Sequence, residues 1–86
     1  MSDFSEFVAF VTSIKDKDQL EDFLLGLTTE NERKEFLQRV EIIKRLVAGE
    51  AHAKIAQELG VGVATVTRGS KELAQGRFKV MRELSA

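Results

Sequence analysis

The sequence has no cysteine, no proline and a single histidine, His52. Without cysteine there is no disulfide, no thiolate metal site and no thiol nucleophile. One imidazole cannot supply a site that needs two within one chain. Without proline, nothing forbids helix on steric grounds, and runs with the two-residue alternation of strands are missing as well. The pattern predicts an all-α fold of short helices. No apolar stretch approaches the roughly 20 residues that span a bilayer, and the acidic N-terminal segment lacks the basic start of a signal peptide. A cytoplasmic protein with no membrane partner is expected. There is no nucleophile–base pair, no metal-ligand cluster and no phosphate-cradling glycine loop, so the expectation is a protein that is not an enzyme and holds no metal.

Eighty-six residues make a single domain, 1–86, with a modest core. With disulfides and metals excluded, a partner subunit is the remaining way to enlarge that core, and a homodimer is expected. The net charge of −1 argues little for nucleic acid, but its distribution argues more. Residues 1–43 carry five basic and ten acidic side chains, and residues 44–86 carry eight basic and four acidic ones. An acidic front and a basic back suit a chain that presents one end to phosphates.

Asp3 is placed to cap a first helix whose apolar stripe is Phe4, Phe7, Val8, Val11 and Ile14. Lys15 to Asp18 reads as a polar joint, followed by a second helix carrying Leu20, Phe23, Leu24 and Leu27. Thr29-Glu30-Asn31-Glu32 has the spacing of a capping box. It opens the longest helix, Glu30 to Ala48, with Gly49 as its left-handed end. Phe36, Val40, Ile43 and Val47 form one stripe of that helix, widened by Leu37, Ile42 and Leu46. This is more apolar surface than one small domain needs, and residues 1–49 read as a dimerisation core.

The stretch Ala51 to Glu72 meets the demands of a helix-turn-helix, which extends to about residue 73. Ala56 is small where a second helix must cross. Gly60, four positions later, tolerates a positive φ in the turn. Val66, six positions further, is placed to bury against the first helix, with Ile55, Leu59 and Val61 completing a wedge. The second helix then shows a hydroxyl-rich, basic face of Thr65, Thr67, Arg68, Ser70 and Lys71, with Val63 and Ala64 at its start. Such residues at the N-terminal end of a recognition helix suit base edges, thymine methyls and phosphates. Lys54 is the only cation in the first motif helix. His52 reads as a solvated residue at its start.

The segment Gly62-Val63-Ala64-Thr65-Val66-Thr67-Arg68-Gly69-Ser70 resembles the second half of the helix-turn-helix of the tryptophan repressor family. Leu27 to Arg33, Arg39-Val40 and Leu46 to Glu50 fall in the same register. The resemblance covers about residues 23 to 74. It implies an intertwined homodimer that presents two reading heads to successive major grooves of a palindromic operator in double-stranded DNA. It also implies L-tryptophan as a corepressor that sets the tilt of the head. Carried over by position, Val63, Ala64, Thr65, Thr67 and Arg68 face DNA; Lys54 and Lys71 are expected to meet it as the cations beside them. Arg39 and Arg68 sandwich the indole, Thr29 and Arg68 hold the carboxylate, and Gly69 permits close approach of the ligand.

Simpler uses exist for several of these residues. Arg39 stands four residues after Glu35, the spacing of an exposed helical ion pair. Thr29 already serves as a helix cap, and Arg68 suits a phosphate. Three features depart from the family pattern. Glu72 stands where a small polar residue is usual; its carboxylate either pairs with the ligand's ammonium or crowds it. The first motif helix is one residue shorter and poor in cations, which predicts a shallow salt dependence of DNA binding. Both termini are short. A repressor of this type that does not respond to tryptophan, and a helical interaction module that has lost DNA, are the alternatives left open.

Overall fold

The computed structural model describes residues 3–85. They form six helices: α1 (Phe4–Ser13), α2 (Lys17–Leu27), α3 (Glu30–Val47), α4 (His52–Leu59), α5 (Val63–Ala74) and α6 (Lys79–Ser85). Among the described residues there is no strand, and no helix is long and apolar enough to cross a membrane. The all-α expectation holds. The chain divides into two compact units, Met1–Arg33 and Lys34–Ala86, the boundary falling inside α3.

In the first unit the helix starts follow from side-chain caps. The Asp3 carboxylate accepts from the Glu6 amide at 2.9 Å, satisfying one of the amides that a helix start leaves unpaired. Asp16 does the same for α2, accepting from the Gln19 amide at 2.9 Å. The polar joint is therefore shorter than the sequence pattern predicts: Asp16 is a cap, and Lys17 and Asp18 are already helical. Ile14 is extended, at φ −80° and ψ 110°, so the stripe of α1 stops at Val11.

At the far end of α2 the Thr28 hydroxyl donates to the Leu24 carbonyl at 2.6 Å. The Arg33 guanidinium donates to the carbonyls of Thr28, at 2.7 Å, and Leu25, at 3.2 Å. The Arg33 contacts satisfy carbonyls at the helix end, and the Leu24 carbonyl also accepts the Thr28 amide at 3.2 Å. The capping box is formed as expected: the Glu32 amide donates to the Thr29 hydroxyl at 3.1 Å, and the Thr29 amide donates to the Glu32 carboxylate at 2.8 Å. That amide hydrogen bond holds the Glu32 carboxyl below its usual range. Phe23 meets Phe10 at 5.3 Å and Phe7 at 6.4 Å between ring centroids. No residue of α1 or α2 is buried.

In the second unit the core is Ile42 of α3, Ile55 and Ala56 of α4, and Val66 of α5, flanked by Leu46, Leu59 and Val61. The expected wedge is present, and α3 contributes Ile42 to it. Ile55 and Val66 are fully buried. Gly60, at φ 68°, ends α4 in the left-handed conformation, and Val61 donates its amide to the Ala56 carbonyl at 3.0 Å. A side chain at this φ would be strained, so glycine sets the tight turn between α4 and α5. Arg45 of α3 ties the motif down from outside, bonded to Glu58 of α4 and lying 3.3 Å from Glu41 and 3.6 Å from Glu50. These carboxylates, Glu58 foremost, raise the Arg45 pKa further.

The C-terminal segment, beyond the stretch that carries the resemblance, contains α6. Helix α5 runs to Ala74, two residues past Glu72. It closes with the amides of Gly76 and Arg77 donating to the carbonyls of Leu73 and Glu72, each at 3.0 Å, the pattern of a Schellman end. Arg82 of α6 reaches back and donates to the Leu73 carbonyl at 3.0 Å. Helix α3 likewise ends at Val47, one residue early, with Gly49 at φ 89°.

Candidate functional site

Helix α5 begins at Gly62, which is extended and offers no side-chain cap. The Thr65 amide donates to the Gly62 carbonyl at 3.1 Å; the amides of Val63 and Ala64 gain no side-chain cap, and a helix N-terminus of this kind favours an anion. Val63 is 51% exposed. Ala64, Thr65, Arg68 and Lys71 are exposed as well, while Thr67 is half-buried. Among the described residues, Arg68 and Lys71 enter no ion pair. Lys54 of α4 is exposed, with its Nζ 3.9 Å from a Glu50 carboxylate oxygen. At this distance and exposure the pair holds the lysine only weakly. His52 is half-buried, as the first residue of α4.

A cavity of about 390 Å³ lies in the second unit, lined by Arg39, Ile42 and Ile43 of α3, by Thr65, Arg68, Gly69 and Glu72 of α5, and by Phe78. Its volume falls within the range of small-molecule sites. Four of the residues singled out for a ligand, Arg39, Arg68, Gly69 and Glu72, therefore come together. Thr29 belongs to the first unit, where its hydroxyl is engaged with the Glu32 amide. Thr65, singled out for DNA, also lines the cavity.

Two wall residues are held by weak ties. Arg39 lies 3.7 Å from Glu35, with side chains 65% and 63% exposed, as the helical spacing predicts. Glu72 lies 3.8 Å from Arg77. Exposed pairs of this length contribute little and exchange readily for other partners.

Gly69 has a structural use beyond access. A Cβ built on it would stand 3.1 Å from Ile43 Cδ1 and 3.5 Å from both Ile42 Cγ2 and Leu46 Cδ1. The missing side chain is what lets α5 lie close on α3 at the floor of the cavity.

Sequence reasoning missed three lining residues. Ile42 and Ile43 read only as packing residues of α3. Phe78 lies beyond the stretch that carries the resemblance; the one available signal was Gly76, two residues before it, which marks a helix end. Phe78 is also the one non-glycine residue with a positive φ, 61°, among those described. Holding a bulky residue there costs about 1–3 kcal/mol and persists only where surrounding contacts enforce it. Here the Schellman end of α5 precedes it, and its carbonyl accepts the amide of Met81 at 3.0 Å at the start of α6.

Chemically, the cavity sets two guanidinium groups and one carboxylate around a floor of isoleucine and an aromatic ring. That arrangement complements a small zwitterion with an apolar side chain: carboxylate to guanidinium, ammonium to Glu72, hydrocarbon to Ile42, Ile43 and Phe78.

The model of the Trp repressor protein family matches residues 2–86. The Trp operon repressor homolog of Vibrio campbellii is 43% identical over 72 residues, 83% of this chain and 72% of that protein. The homolog of Vibrio parahaemolyticus is 43% identical over 72 residues, 83% of this chain and 70% of that protein. The homolog of Aliivibrio salmonicida is 40% identical over 73 residues, 84% of this chain and 68% of that protein. No solved structure matches the chain.

Proposed function

The chain belongs to the Trp repressor family, and from that premise we propose that it is a homodimeric, sequence-specific transcriptional repressor that uses L-tryptophan as corepressor. One observation carries the reading: Arg39, Arg68 and Glu72 share a cavity whose wall is the helix that offers Val63, Ala64 and Lys71 to solvent. A ligand filling the cavity touches the same rigid helix that meets DNA. It shifts the head toward whichever tilt it binds better, by as much as its affinities for the two tilts differ.

In this reading Arg68 and Arg39 take the carboxylate and the faces of the indole, and Glu72 takes the ammonium. Thr29 assists the carboxylate. Gly69 sets the depth of the cavity. Lys54, Thr65, Thr67, Arg68 and Lys71 meet phosphates and base edges, with Val63 and Ala64 against thymine methyls. The homodimer covers apolar side chains that this chain leaves open, among them Phe4 at 76%, Leu37 at 72% and Leu27 at 54% exposure.

Calorimetric titration with L-tryptophan, repeated on Arg39→Ala, tests the ligand. Heat with the native chain and a loss of affinity in the variant is the expected result; no heat with the native chain overturns the corepressor. In that case the second reading stands, a DNA-binding repressor indifferent to tryptophan, which the Glu72–Arg77 pair at the cavity wall favours. Band shifts on a palindrome-bearing promoter fragment at fixed salt, with and without L-tryptophan, test the repressor itself. Binding that ignores sequence would point instead to an interaction module. Light scattering tests the dimer, and a monomer would remove it.

A further inference from the structure

We propose that Phe78 is a specificity-determining residue of the cavity, an aromatic wall built by the α5–α6 turn that selects ligands with a planar ring. The inference rests on the corepressor reading and deepens it. Phe78 lines the cavity with Arg39 and Arg68, yet it is 39% exposed, and among the described residues its ring pairs with no other aromatic ring. An apolar ring left half in water beside a cavity gains area when a second ring covers it, and offset or edge-on pairing adds to that gain.

The backbone fixes where the ring stands. The amides of Gly76 and Arg77 are tied to the end of α5, and Arg82 of α6 is tied to the Leu73 carbonyl at 3.0 Å. The left-handed φ of 61° at Phe78 is thus enforced from both sides, so the wall is in place before a ligand arrives. Such a wall contributes affinity without an ordering cost. Among the described residues, no other part of the cavity lining offers a ring: the rest is isoleucine, threonine, glycine and charge.

The chain contains neither tryptophan nor tyrosine, so indole emission reports the ligand alone. L-tryptophan and indole-3-propionate share ring and carboxylate and differ in the ammonium. Titrations of both, followed by calorimetry and by the blue shift of the indole emission, are compared for the native chain, Phe78→Ala, Phe78→Leu and Glu72→Gln. Phe78→Ala is expected to weaken both ligands by the same factor, about fivefold to tenfold, and to reduce the blue shift. Phe78→Leu, which keeps apolar bulk and guards against a fold defect, is expected to fall between. Glu72→Gln is expected to weaken L-tryptophan alone. If the native chain binds and both Phe78 variants stay within about twofold of it, the wall is wrong while the corepressor stands. If the native chain binds neither ligand, both readings fall.

Discussion

Replacing Gly69 by alanine tests the close approach of α5 and α3, and two opposed effects decide its sign. Within a helix, alanine is favoured over glycine by about 1 kcal/mol. Against this, the new methyl would stand 3.1 Å from Ile43 Cδ1, with Ile42 and Leu46 at 3.5 Å on either side. Ile43 is 2% exposed, so it escapes only by turning into the cavity it lines or by pushing α5 outward. Overpacking of this kind costs about 1–3 kcal/mol. The balance is a net loss of about 1 kcal/mol, or a fall in Tm of about 4–8 °C for a chain of this size. Gly26→Ala supplies the control. Gly26 lies in α2, its φ is not positive, and nothing stands within 4 Å of the added methyl. It is expected to gain about 0.5–1 kcal/mol. Urea unfolding at one protein concentration, read by far-ultraviolet dichroism, measures both. A Gly69→Ala chain as stabilised as Gly26→Ala would refute the close α3–α5 contact.

Three further outcomes follow from the same geometry. Because the Glu32 and Asp3 carboxyls lie below their usual range in the folded chain, their contribution is present above the unfolded pKa and fades as pH falls through the folded one. Thermal midpoints taken from neutral to strongly acidic pH should therefore decline, and Glu32→Gln should flatten that decline; an unchanged slope would deny the capping box its role. A double-mutant cycle of Arg45→Met with Glu58→Gln should give a small favourable coupling, as for partly exposed side chains, and zero coupling would reduce the contact to surface chance. Lys71→Ala should lower DNA affinity alike on all sequences and reduce the salt slope by about 1, whereas a sequence-dependent loss would place Lys71 at a base.

What the sequence made legible was whatever depends on neighbours three or four residues apart. The Thr29–Glu32 box, the Glu35–Arg39 pair, the left-handed turn at Gly60 and the burial of Ile55 and Val66 are all set by helical spacing and one special backbone angle, and each is present. The misses have the opposite character. Asp16 was hidden because an alternating charge run looks like a joint until one carboxylate is seen to reach an amide. Helix α6 is short, and its tie to α5 runs through Arg82 to a carbonyl nine residues back, beyond any periodic pattern. Phe78 inherits that difficulty, since it meets the cavity only because α5 ends where it does. Of the cavity lining, the charged residues and Gly69 on α3 and α5 were singled out from the sequence, while Ile42, Ile43 and the turn after α5 were not.

Helix α5 presents three stripes, and the division follows from about 100° of rotation per residue. Val66 and Leu73, seven apart, are buried. Thr65, Arg68, Gly69 and Glu72, at spacings of three and four, line the cavity. Val63, Thr67 and Lys71, four apart, lie between, and Ala64 adjoins them. Arg68 borders both the cavity and the outward stripe, so a guanidinium drawn toward a bound carboxylate is withdrawn from DNA, and one left free serves a phosphate. On the proposed function these uses compete unless the helix turns as the ligand enters. On that function the Gly69 contact with Ile42, Ile43 and Leu46 of α3 would be the pivot for such a turn. If so, Arg68→Lys should separate the duties: a point charge still serves a phosphate but loses the planar face that stacks on indole. DNA binding in the absence of ligand should then survive while the response to L-tryptophan falls. Equal loss of both in band shifts with and without L-tryptophan would mean that Arg68 acts at only one of the two surfaces.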